Sequence, residues 1–139
     1  MRPSGRLTLA CMNVLHLTTP ADLAAARAAG EYRLSSRGLT LEDVGFIHVC
    51  TPAQLPGVVS RFYADVEDLL ALVVDLDACE AAGSPVRWEP APDAAHELFP
   101  HVYGPLPWAA IIGETPVLRD VDEARVDLPG GSDAPGQKQ

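Results

Sequence analysis

Lysine is almost missing from this chain. Nine of its ten basic residues are arginine and Lys138 is the tenth; nineteen acidic residues outnumber them, leaving a net charge of −9. A protein that grips a phosphate backbone needs a basic face, so general nucleic-acid binding is disfavoured, although a local cationic pocket is not. Cysteine is scarce as well. Cys11, Cys50 and Cys79 are an odd number with no CxxC spacing, which argues against a disulfide framework and against a zinc site built from thiolates. No apolar run approaches the ~20 residues of a membrane span. Leu7–Leu15 is interrupted by Thr8 and Asn13 and no small-residue cleavage site follows. The expectation is a cytoplasmic protein with no signal peptide and no membrane partner. The glycine-rich loops GxGxxG and GxxxxGK[ST] are absent too, and with them the common phosphate-cradling turns.

What is present is enough for one core. The chain has 139 residues, 47% of them hydrophobic, which fits a single domain of ordinary size. The composition divides it into a flexible N-terminus over 1–8, a domain over 9–118 and a disordered acidic tail over 119–139. Leu9–Leu17 reads as a buried strand. Thr19-Pro20 is a helix start, with Thr as N-cap and Pro at the first helical position. The Ala-rich stretch that follows predicts a helix over 20–29, stopped by Gly30. Residues 31–43 read as a loop with a turn of helix near Leu39–Asp43.

Gly45–Cys50 predicts a short strand, and Thr51-Pro52 repeats the helix start. Leu55, Val58, Val59 and Phe62 recur at helical spacing within Ala53–Tyr63. Pro56 would break a helix begun at Pro52, so a tight turn at 52–54 with a regular helix from Leu55 is the better fit. Leu69–Val74 predicts a strand, Ala78–Gly83 a short turn or helical turn, and Val86–Glu89 a short strand halted by the loop residues Pro90, Pro92 and Asp93. Phe99–Tyr103 reads as extended, Gly104–Pro107 as a rigid turn, and Trp108–Val117 as a last strand. Strand–helix–strand–helix followed by strands is an α+β order.

Three segments carry chemistry. His16 and His48 each stand three residues before the Thr of a Thr-Pro helix start. If their strands pair, the two imidazoles line one face beside two helix N-termini, a setting that suits an anion. The plain alternative is two strand-end histidines bonded to local carbonyls. In Arg87-Trp88-Glu89, alternation puts Arg87 and Glu89 together. Arg offers a fork for phosphate or carboxylate, and Glu a base or a hydroxyl acceptor; the alternative is a salt bridge at a sheet edge. In Phe99–Pro107, His101 and Tyr103 share a face if the segment is extended. A zinc site from His16, His48 and His101 with Glu89 or Cys50 requires three distant segments to converge, and no metal is expected. Cys50 as a nucleophile competes with Cys50 as a small buried hydrophobe.

Taken in order, His16-Leu17-Thr18-Thr19, Gly45–Thr51, Arg61-Phe62-Tyr63, Arg87-Trp88-Glu89 and Phe99–Pro107 resemble the DUF952 family over about residues 13–117. One departure is His48-Val49-Cys50-Thr51, where the family pattern reads His-Cys-Ser-Thr. The resemblance implies a compact relative of the ADP-ribosyltransferase fold: a small split β-sheet core with two main helices, holding NAD in the cleft. On that analogy His16, with Thr18 beside it, contacts the adenosine ribose, while His48 and Thr51 line the nicotinamide-ribose side. Glu89 takes the acidic catalytic position; beside the analogy, the residue reading has Arg87 and the helix N-termini hold pyrophosphate, Tyr103 contact the cofactor and His101 join His48 and Glu89 as a catalytic candidate. The expected function is an enzyme binding NAD or an ADP-ribose-like nucleotide, for ADP-ribosyl or phosphoryl transfer. An acid–base enzyme with another small substrate, and a non-catalytic binding module, stand as alternatives.

Overall fold

Thr19 and Pro20 open the first helix as the sequence requires. In the computed structural model, which describes residues 13–91, 94–119 and 124–126, helix α1 spans Pro20–Ala29 and the Thr19 hydroxyl accepts from the Asp22 amide. Strand β1, Asn13–Thr18, precedes it. The expected loop over 31–43 carries more structure than predicted: β2 (Leu34–Ser36), β3 (Leu39–Thr40) and a four-residue helix α2 (Leu41–Val44). The β2–β3 hairpin is too short to show a period. Gly45 closes α2 at φ 103°, a left-handed conformation that suits glycine, and turns the chain into β4, Ile47–His48.

A 3-10 turn at Pro52–Gln54 leads into α3, Leu55–Phe62, so Pro56 falls in the first turn, where no helical bond is lost. Then come β5 (Leu70–Asp75), α4 (Leu76–Ala81), β6 (Val86–Ala91) and β7 (Ala94–Val102). A 3-10 turn at Trp108–Ala110, where a strand was predicted, precedes β8 (Ile111–Pro116) and β9 (Leu118–Arg119). Strand β10, Ala124–Arg125, pairs with β9, so this part of the predicted tail belongs to a sheet. Residues 1–8, 120–123 and 127–139 lie outside the described residues.

Pro90 and Pro100 lie within strands, and the first corrects the predicted end of a strand. Strand β6 runs through Pro90 to Ala91 instead of stopping at Glu89, because it is the edge of the β4–β7–β6 sheet and an edge strand tolerates a missing N–H. Strand β7 is central yet carries Pro100 opposite Trp88. It can do so because β4 pairs only with His101 and Val102, leaving Pro100 beyond the end of its partner.

The architecture is α+β, with a split sheet at its centre. Antiparallel β1–β5–β8 and antiparallel β4–β7–β6 are joined by one bridge, Leu15 to Cys50. Both amides of that pair donate across it, at 2.7 and 2.8 Å. Apolar side chains pack on both sides of the join. Val14, Tyr32, Ile47, Val49, Leu72 and Val102 form one cluster; Leu15, Leu17, Cys50, Leu55, Val59 and Phe99 belong to the other.

Candidate active site on the β4–β7–β6 face

The register of three short strands assembles the site. His101 of β7 stands opposite His48 of β4 on one side and Arg87 of β6 on the other. Glu89 lies two residues along β6, on the same face as Arg87. Tyr103 follows β7 and is held by its amide, which donates to the Pro85 carbonyl at 2.7 Å. The turn after it packs tightly: a Cβ on Gly104 would collide with the side chain and backbone of Ser84.

One carboxylate oxygen organises the cluster. Glu89 Oε1 accepts from His101 Nδ1 at 2.8 Å and from the Tyr103 hydroxyl at 2.6 Å. These bonds, the Tyr103 hydroxyl's first, hold the Glu89 carboxyl below its ordinary range. The same bond raises the Tyr103 phenol. An ionised carboxylate only accepts, so neutral His101 carries its proton on Nδ1. The Arg87 guanidinium lies 4.9 Å from the centre of the Tyr103 ring. Phe46 stacks on His101 at 4.0 Å and meets the His48 ring edge-on at 4.9 Å. His101 is almost buried beneath it, whereas His48 is exposed. Desolvation, and then the neighbouring His101, lower the His48 pKa, so its imidazole is neutral at pH 7.

The structure therefore brings together five of the predicted residues: His48, Arg87, Glu89, His101 and Tyr103. It separates the other three. His16 does not share a crevice with His48. Leu15 and Cys50 are direct cross-strand partners, so alternation along the two antiparallel strands sends His16 to one face and His48 to the other. His16 is 1% exposed. Its Nδ1 donates to the His48 backbone carbonyl at 2.7 Å, and its ring meets Tyr32 edge-on at 5.1 Å. Burial lowers its pKa to about 4. Its Nε2 is buried and meets no hydrogen-bond partner among the described residues. Thr51 caps the 3-10 turn: its hydroxyl accepts from the Gln54 amide, and Gln54 Oε1 accepts from the Thr51 amide.

A zinc site made of His16, His48 and His101 does not form, and no metal-holding group of three or more His, Cys, Asp or Glu occurs among the described residues. Cys50 is the small buried hydrophobe of the two readings; burial pushes its thiol up to about 12. A cleft of about 350 Å³ lies elsewhere, lined by Leu17, Thr18, Thr19, Asp22, Arg37 and Tyr63 among others. Its one arginine is already committed to Asp65 and to the Phe62 carbonyl. The clustered titratable groups make the open sheet face the better candidate for chemistry.

Ser35 and Phe46 belong to this site although the sequence reading did not select them. Phe46 and His48 share a face by simple alternation, which was a usable signal. Ser35 had none, because β2 was read as loop.

A family model described as a protein of unknown function, DUF952, matches residues 17–114. The chain belongs to the DUF952 family. The matched span of this DUF952 chain contains all eight predicted site residues except His16. Its fold is similar to the crystal structure of protein CC0527 from Caulobacter crescentus, at 24% identity and a TM-score of 0.65, over 82% of this chain and 93% of that one. A solution structure of CC0527 gives 23% identity and a TM-score of 0.61, over 81% and 90%. These likenesses show the fold alone and do not establish the ADP-ribosyltransferase relationship that the resemblance implies. No curated protein matches the DUF952 chain.

Proposed function

We propose that this protein is an enzyme acting on a small anionic substrate at the open face of β4–β7–β6, with His48 as the general base or acid. A nucleotide of the NAD or ADP-ribose type is the first candidate ligand. The observation that carries the reading is the double engagement of Glu89 by His101 and Tyr103, next to an exposed neutral imidazole. Glu89 fixes the orientation of His101 through its Nδ1 proton. Arg87, held over Tyr103, supplies the positive charge for an anionic substituent. His48 Nε2 takes a proton from a substrate hydroxyl and returns it to a leaving group. His16 stabilises the strand beneath and does not touch the substrate, which departs from the adenosine-ribose role implied by the resemblance.

The test is titration of the ¹⁵N-labelled protein with NAD, ADP-ribose and inorganic phosphate, followed by amide spectra. Shifts centred on Phe46, His48, Arg87 and Tyr103, lost in Arg87→Ala, are expected. Shifts centred on Thr19, Asp22 and Arg37 would relocate the site to the other cleft. No shift with any of the three at millimolar concentration would end the nucleotide reading.

A further inference from the structure

Ser35 has no role in the chemistry just described, yet it touches the residue at its centre. It sits on β2, fully buried. Its Oγ lies 2.5 Å from the Phe46 carbonyl oxygen and 2.9 Å from His48 Nδ1. A carbonyl oxygen can only accept, and two oxygens this close need a proton between them. Serine has a single hydroxyl proton, so it is committed to Phe46. What Ser35 turns toward His48 is a lone pair, and Nδ1 must donate to it. A neutral imidazole carries one N–H. With that proton on Nδ1, the lone pair is left on Nε2.

We propose that Ser35 is a positioning residue that holds His48 as the Nδ1–H tautomer, so that Nε2 is the nitrogen offered to a substrate. Two further contacts fix the ring and its strand. His16 Nδ1 donates to the His48 carbonyl, which anchors the backbone from the opposite face. Phe46 and His101 flank the imidazole, with centroids 4.9 and 5.7 Å away. His101 commits its own Nδ1 proton to Glu89. Both imidazoles of the face thereby direct an Nδ1 proton to an acceptor, one a serine and the other a carboxylate. Acid–base catalysis depends on this kind of outer contact, because it decides which nitrogen can accept a proton.

The inference rests on the proposed function for its use, but its test does not. The tautomer is read in the ligand-free full chain from ¹H–¹⁵N spectra of the histidine side chains at pH 8. In the wild type, His48 is expected to show a protonated Nδ1 and an unprotonated Nε2. Ser35→Thr, which keeps the hydroxyl, should preserve that pattern. Ser35→Ala should move His48 to a mixture of tautomers or to Nε2–H while the other histidine signals stay in place. A wild-type His48 protonated on Nε2 overturns the proposal, as does an unchanged His48 signature in Ser35→Ala. If Ser35→Ala fails to fold, the wild type and Ser35→Thr decide the matter: the same Nδ1–H signature in both supports the proposal, and its absence from either refutes it. If the tautomer is as described but no nucleotide binds, the choice of substrate fails and the role of Ser35 stands.

Discussion

His16 and His48 occupy the same place in two copies of one sequence unit, a strand end followed by Thr-Pro and a helical turn. The copies agree in their caps. Thr19 and Thr51 both cap, each accepting from the amide three residues on. The histidines do not agree. One is sealed against Tyr32; the other stands at an open face beside Phe46 and His101. The difference comes from a single antiparallel bridge, Leu15 to Cys50, whose register sends the two rings to opposite sides. A repeated motif therefore fixes local geometry, while cross-strand register decides which copy meets solvent.

The sharpest way to break this comparison is truncation. His16→Ala removes a buried hydrogen bond and leaves a cavity beside Tyr32. It should cost about 4 kcal/mol in urea unfolding. His48→Ala, at an exposed position, should cost under about 1 kcal/mol. Equal costs would mean that the two sites are not sealed and open as described.

Both histidines have lowered pKa values, and the large shift is that of His16. The folded His16 has a pKa of about 4 against an ordinary 6.5. Between these values the unfolded chain takes up a proton that the fold does not. The His16 contribution is therefore complete above pH 6.5 and is lost as pH falls toward 4, a loss of about 3 kcal/mol. Urea midpoints compared across pH 4–7 should show this extra slope in the wild type and not in His16→Gln.

The shared part of the comparison is tested by the caps. Thr19→Ala and Thr51→Ala should each destabilise by about 1 kcal/mol. A much larger loss of ligand binding in Thr51→Ala than in Thr19→Ala would restore Thr51 to the site. The smallest effect belongs to the open face alone. Glu89→Gln removes the carboxylate that raises the Tyr103 phenol, so tyrosinate absorbance from this residue should appear at lower pH than in the wild type.

Much of the fold was legible because it is written in short-range signals. Thr-Pro starts, Gly30 and the position of Pro56 set α1 and α3 within a few residues. The chemistry of Arg87, Glu89, His101 and Tyr103 was legible because alternation holds along a hairpin. What escaped depends on distant segments. The β2–β3 hairpin has too few residues to show a period, so Ser35 went unnoticed. Pro90 looks like a strand breaker until β6 is seen to be an edge. The faces of His16 and His48 follow from pairing two segments more than thirty residues apart, and no local pattern carries that register.

Covalent labelling of the native protein with diethyl pyrocarbonate at pH 7, mapped by mass spectrometry, tests the central contrast most directly. The reagent attacks an accessible neutral imidazole nitrogen. His48 should be modified readily and His16 only when the protein is unfolded. Modification of His16 in the folded protein at a rate matching that of His48 would contradict the account.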